Sequence, residues 1–115
     1  MRKLKWEQIG IMNMNYLFYT LDYFLDAAVD MGVQNINLWV ANPHAHLDEA
    51  SDADYRRIAA KLRERDLKCF CVCPEQVVYP FNIAAENPRI RRRSIAAMIR
   101  AIDLCEIVGS PLLHV

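Results

Sequence analysis

Apolar residues recur along this chain with two alternating periods, one of strands and one of helices, and the alternation predicts β/α units in series. Gln8 to Met12 is an apolar run that reads as a first strand, leading into the loop Asn13-Met14-Asn15-Tyr16. Leu21, Phe24, Leu25, Ala28 and Val29 then fall at the i, i+3, i+4, i+7, i+8 spacing of one buried helix face, with Asp22, Asp26 and Asp30 opposite. Thr20 is placed to cap that helix and Gly32 to stop it. Asn35 to Val40 is short and alternates Ile36, Leu38 and Val40 with Asn37 and Trp39, the signature of a second strand.

After the loop from Ala41 to Ala50, Ser51 caps a second helix whose buried stripe is Tyr55, Ile58, Ala59 and Leu62. Leu67 to Cys73 reads as the third strand. Asn87-Pro88, an N-cap followed by Pro at its favoured first position, opens a third helix. Its inner face is expected to be Ile95, Met98, Ile99, Ile102 and Cys105, and Gly109-Ser110-Pro111 ends it. Leu112 to Val115 is the fourth expected strand.

Strands alternating with helices argue an α/β fold with a parallel sheet and right-handed crossovers. A barrel and a doubly wound sheet both satisfy that pattern, but no G-x-G-x-x-G or P-loop follows any strand to favour a nucleotide-binding sheet. A (β/α)8 barrel needs about 250 residues. Four strands and three helices in 115 residues therefore predict the N-terminal half of a TIM barrel, with residues 1–115 forming one partial barrel domain.

Fourteen Lys and Arg against fourteen Asp and Glu leave no net charge, so long-range attraction to nucleic acid or an anionic membrane is not built into the total. Met1 to Gln8 lacks the apolar core of a signal peptide, and the apolar runs are too short to span a bilayer. A cytoplasmic location is expected. Cys69, Cys71 and Cys73 alternate along the third strand, which would point all three to one face and set Cys69 and Cys73 about 13 Å apart. That is too far to share one zinc ion, so these thiols and Cys105 read as small packing residues in a reducing compartment.

In parallel α/β folds ligands meet the carboxyl ends of the strands. Those ends carry Asn13, Asn15 and Tyr16, then Trp39, Asn42, His44 and His46, then Glu75, Gln76, Tyr79 and Asn82, and finally His114. Trp39 is either a packing aromatic or a flat wall for a sugar's C–H face. His44 and His46 are either surface loop residues or imidazoles able to bind a divalent metal or hydroxyls. Glu75 is either a solvated loop carboxylate or one that binds hydroxyls or an amine. Arg89, Arg91, Arg92 and Arg93 lie around the opening turns of the third helix, where cations oppose the helix dipole and call for a partner anion or a bracing role.

The ordered set Ile36-Asn37-Leu38-Trp39, Pro43-His44-Ala45, Pro74-Glu75, Tyr79-Pro80-Phe81-Asn82 and Arg91-Arg92-Arg93-Ser94-Ile95 resembles the first half of the xylose-isomerase-like TIM barrels, and within them the sugar epimerases, the fructoselysine 3-epimerases in particular. The resemblance implies metal-dependent proton transfer beside a carbonyl, with two glutamates as acid and base and a divalent ion, Mn²⁺ or Co²⁺, polarising the substrate oxygens. In those enzymes the metal ligands lie in the second half of the barrel. No catalytic and no metal-binding residue is therefore carried over, no cofactor is expected for this chain alone, and the chain alone is expected to be inactive. The substrate-facing rim that remains is Trp39, His44, Glu75, Tyr79 and Asn82, facing a small-molecule sugar, with no nucleic acid and no membrane as partner.

The same superfamily contains endonuclease IV. His114 falls where one of its zinc-binding histidines would lie, but Cys73-Pro74 stands where it has another histidine. A further alternative is a non-catalytic half-barrel that binds or assembles, as a homodimer, by pairing the open edges of its sheet.

Overall fold

A computed structural model describes residues 3–76 and 81–115. Three strands form one parallel sheet in the order β1-β2-β3: β1, Gly10–Met12; β2, Asn35–Val40; and β3, Lys68–Pro74. The helices α1, Leu21–Asp30; α2, Asp52–Glu64; and α3, Pro88–Val108, alternate with them. This is the β/α alternation of a partial TIM barrel with an unclosed sheet. The run before β1 is a 3-10 turn at Trp6–Gln8, so the first strand is shorter than its apolar run suggests.

The local signals act as their chemistry requires. Thr20 Oγ1 accepts from the Tyr23 N–H at 3.1 Å, and Gly32 follows α1 at φ +70°, a conformation that costs glycine least. Ser51 and Asp54 cap α2 reciprocally, and those bonds hold the Asp54 carboxyl down at about 2. Asn87 caps α3 through the Arg89 N–H, and Gly109 ends it at φ +71°.

Side chains facing the helices from the sheet, Ile36, Leu38, Val40, Cys69 and Val72, meet Leu21, Phe24, Leu25 and Ala28 of α1 and Tyr55, Ile58 and Leu62 of α2 in one core. Val29 departs from expectation: it is half exposed, beside Trp6 at the amino end of the sheet. Lys61 of α2 and Arg65 at its C-cap pair with Asp22 and Asp26 of α1, and the Lys61 hydrogen bond leads in lowering the Asp22 pKa.

Three further expectations are corrected. First, the buried row of α3 is Ser94, Ala97, Ala101 and Leu104, whereas Ile95, Ile99 and Ile102 of the expected inner face are 45%, 54% and 58% exposed. Small residues let α3 approach β3 and α2 closely, so the helix presents its alanines inward and its larger apolar residues to a groove shared with Phe81, Ile83 and Leu113. Met98 and Cys105 are intermediate in burial, and Cys105 packs against the core.

Second, the fourth strand is reduced to one parallel bridge between Val72 and Leu113. Val72 N–H donates to Leu112 O at 2.9 Å and His114 N–H to Val72 O at 2.8 Å. The next donor on that edge of β3 would be residue 74, and Pro74 has no N–H to give. His114 O instead accepts from the Gln76 side chain at 3.5 Å.

Third, the cysteines do not share a face. Ile36 pairs with Cys69 but Asn37 pairs with Cys71, so Phe70 is an extra residue in the ladder, a β-bulge. Register neighbours in a parallel sheet point the same way. Cys69 therefore joins Ile36 in the core, while Cys71 and Cys73 follow Asn37 and Trp39 to the opposite face. The Phe70 ring lies over Gly10, where an added Cβ would come within 2.5 Å of it.

Candidate functional site

At the carboxyl ends of β1 and β2, one amide organises the backbone. Asn13 is fully buried, and its Oδ1 accepts from the Trp39 N–H at 2.7 Å. With its oxygen so engaged, Nδ2 is the donor, to Trp39 O at 3.0 Å and to His44 Nδ1 at 2.8 Å. His44 Nδ1 is then an acceptor, which makes the ring the Nε2–H tautomer, and Nε2–H donates to Tyr19 O at 2.9 Å. Across the sheet, the Trp39 indole N–H donates to Glu75 Oε2 at 2.9 Å.

The result is a continuous line of hydrogen bonds from the β1–α1 loop to the mouth of β3: Tyr19, His44, Asn13, Trp39 and Glu75. Trp39 is 8% exposed and Glu75 6% exposed, so the indole–carboxylate pair sits in a low-dielectric setting where such bonds are strong. Glu75 N–H also donates to Val40 O at 3.3 Å, which extends the β2 pairing one residue past Pro74 and fixes the backbone that carries the carboxylate.

Three of the five expected rim residues, Trp39, His44 and Glu75, are thus brought together. Asn82 is engaged otherwise: its Oδ1 accepts from the Ala84 N–H at 2.9 Å, and its own N–H donates to the buried Ser94 Oγ at 2.7 Å, an arrangement that shapes the approach to α3. Tyr79 lies outside the described residues. Asn13 stands at a strand end in the sequence but was not among the expected rim residues. The signal that could have found it is a carboxamide directly after a strand, where it can bond both backbone groups of a neighbouring strand.

Beside the rim, Cys73 Sγ lies 3.3 Å from His114 Nδ1. Burial first, then the neighbouring Cys71 and Glu75 charges, push the Cys73 thiol up, so it is held as a neutral thiol. His46 is buried at 6% exposure. Among the described residues no group of three or more His, Cys, Asp or Glu side chains is placed to hold a metal ion. These residues therefore do not fit the divalent metal that the resemblance implies. Among the described residues no helix is long and apolar enough to cross a membrane.

The arginines of α3 are partly explained. Arg93 pairs with Asp48 at 2.7 Å and lies over the Phe81 ring at 5.3 Å, and Arg91 donates to Ala85 O at 2.7 Å. Both brace the segment leading from β3 into α3.

Comparison with known proteins agrees with this architecture. A probable endonuclease 4 of Persephonella marina is 30% identical over 88 residues, covering 76% of this chain and 30% of that protein. Fructoselysine 3-epimerases of Shigella flexneri and Escherichia coli O157:H7 are 22% and 21% identical over 97 residues, covering 84% of this chain and 35% of theirs. The chain spans about a third of the length of these curated relatives. The family model described as xylose isomerase-like TIM barrel matches residues 25–115, which takes in the latter part of α1, all of α2 and α3, two of the three strands and Trp39, His44 and Glu75. With its strands parallel, its helices in alternation and most of its length matched, this chain belongs to the xylose isomerase-like TIM barrel family.

Proposed function

We propose that this chain forms the substrate-side portion of a metal-dependent sugar isomerase or epimerase that moves a proton beside a carbonyl. The observation that carries the reading is the Glu75–Trp39–Asn13–His44 line at the carboxyl ends of the strands, where barrel enzymes bind their substrates. In this reading Glu75 orders hydroxyl groups as an acceptor, Trp39 holds that carboxylate in place, and His44 fixes the loop after β1. Asn13 is a positioning residue that keeps both in register. Tyr79 and Asn82 complete the substrate rim, and the acid, base and metal ligands belong to other parts of the enzyme. The fructoselysine 3-epimerase relatives support the sugar class.

The chain contains two tryptophans, which provides an internal control. Trp39 lies at the rim, whereas the Trp6 indole N–H is bonded to Gly32 O at 2.6 Å, at the other end of the sheet. Titration of the protein with fructose should move the Trp39 indole N–H signal in a ¹⁵N-resolved NMR spectrum and leave that of Trp6 in place. Equal movement of both, or of neither, would remove the rim assignment. Fructose incubated with the chain and Co²⁺ in deuterated water should gain no deuterium beside its carbonyl, and a measured gain would show that the acid and base lie within these 115 residues.

A DNA-processing reading has one observation in its favour, the similarity to the probable endonuclease 4. It predicts that duplex DNA moves the Trp39 signal at concentrations where fructose does not.

A further inference from the structure

The loop after β1 and the first turn of α1 carry aromatic rings that the fold does not bury. Phe18 is 98% exposed, and Tyr19 and Tyr23 are 50% and 53% exposed. Tyr19 and Tyr23 stack at 4.6 Å between centroids and 18° between planes. Tyr16 meets Tyr19 edge-on at 6.0 Å and reaches inward to the fully buried Phe24 at 5.1 Å. Tyr19 and Tyr23 are therefore anchored to the core through Tyr16, Phe18 lines the same groove as Tyr19, and an exposed apolar patch of this kind marks a binding surface.

Its position identifies what it binds. His44, bonded through Asn13 to Trp39, donates to the carbonyl of Tyr19, so the aromatic shelf and the rim are held by the same imidazole. A shallow groove lined by Phe18, Tyr19, Pro43 and His44 runs alongside. Flat rings edged by phenolic hydroxyls suit a polyhydroxylated ring, which offers apolar C–H faces and polar edges.

Resting on the sugar reading above, we propose that Phe18, Tyr19 and Tyr23 form a second subsite that stacks a ring attached to the sugar held at the rim. The substrate class is then a ketose carrying a glycosidic or comparable ring substituent. Stacking against such a shelf should strengthen binding about tenfold relative to the bare ketose.

The test uses two probes, fructose and the glucosyl-fructose disaccharide isomaltulose, followed at the Trp39 indole N–H and at the rings of Phe18, Tyr19 and Tyr23. Isomaltulose should bind about tenfold more tightly than fructose, and Phe18→Ala should remove that gain while leaving fructose binding and the melting temperature in place, because Phe18 packs against almost nothing. Equal affinities in the native protein, or an undiminished gain in Phe18→Ala, overturn the subsite and leave the rim standing. Shifts of the shelf rings by isomaltulose without any shift at Trp39 support the subsite and overturn the rim. Silence at both places overturns both. Concentration-dependent self-association removed by Phe18→Ala would assign the shelf to a second copy of the chain and overturn the sugar subsite.

Discussion

The mouth of the sheet and the flank of α3 invert the usual relation between polarity and burial. At the mouth, Asn13 is completely buried, and its amide makes three hydrogen bonds that a hydrophobic residue could not replace. On α3, Ser94 and Ala97 are buried while Ile99 and Ile102 remain more than half exposed. The difference teaches that position in this fold follows what a neighbour needs. Trp39 offers a backbone N–H and C=O that only a donor-acceptor side chain can satisfy, and β3 offers a close approach that only small residues allow. Ser94 belongs inside because its hydroxyl accepts from Asn82 N–H and donates to Ile90 O at 2.8 Å, joining the loop to the helix.

The sharpest way to break this comparison is Asn13→Ala. It strands the buried N–H and C=O of Trp39, and a loss of about 3 kcal/mol is expected in denaturant unfolding. A loss under about 1 kcal/mol would mean that water replaces the amide and that the mouth is not sealed. The alkaline limb of stability comes next. Burial pushes the Cys69 thiol up to about 11 from 9.0, so the folded state keeps its proton where the unfolded chain loses it. Stability from this group is fully present below pH 9 and is lost as pH rises to about 11, by about 2–3 kcal/mol. Cys69→Ala should flatten that limb of a pH series of urea melts.

Smaller effects sharpen the α3 half of the contrast. Ala101→Leu, at a site with 0% exposure, should cost about 2 kcal/mol through overpacking. Gly10→Ala should cost about 1–2 kcal/mol, because the new methyl displaces the Phe70 ring, and Phe70→Ala in the same chain should recover part of it. Ile102→Ser should change stability by under about 0.5 kcal/mol, and a larger loss would show that the exposed row of α3 is covered in solution.

Much of the fold was legible because periodicity and capping act locally. All four residues of the α2 stripe are buried as their spacing requires, and Thr20, Ser51, Asn87 and Gly109 begin or end helices as their chemistry dictates. α3 misled because it carries two apolar rows, and hydrophobicity alone ranks isoleucine above alanine when fit to β3 decides for alanine. The bulge at Phe70 leaves no mark in a run that still alternates by residue type, so the facing of the cysteines was read wrongly. At the candidate site, Trp39, His44 and Glu75 were legible from their place at strand ends, whereas the part played by Asn13 depends on contacts to residues 26 and 31 positions away.

The extra residue at position 70 also acts as a phase shifter for the reading of β3. Before it, odd-numbered side chains enter the core; after it, even-numbered ones do. Were Phe70 instead paired regularly with Asn37, alternation would run unbroken and every later side chain of the strand would turn over, sending Val72 out of the core and Cys73 into it. That pairing would also exchange the faces of Pro74 and Glu75. The bulge therefore sets which side of the sheet the Glu75 carboxylate is delivered to, and deletion of codon 70, which would leave Cys71 opposite Asn37, should remove the bulge while leaving core and rim facing as they do.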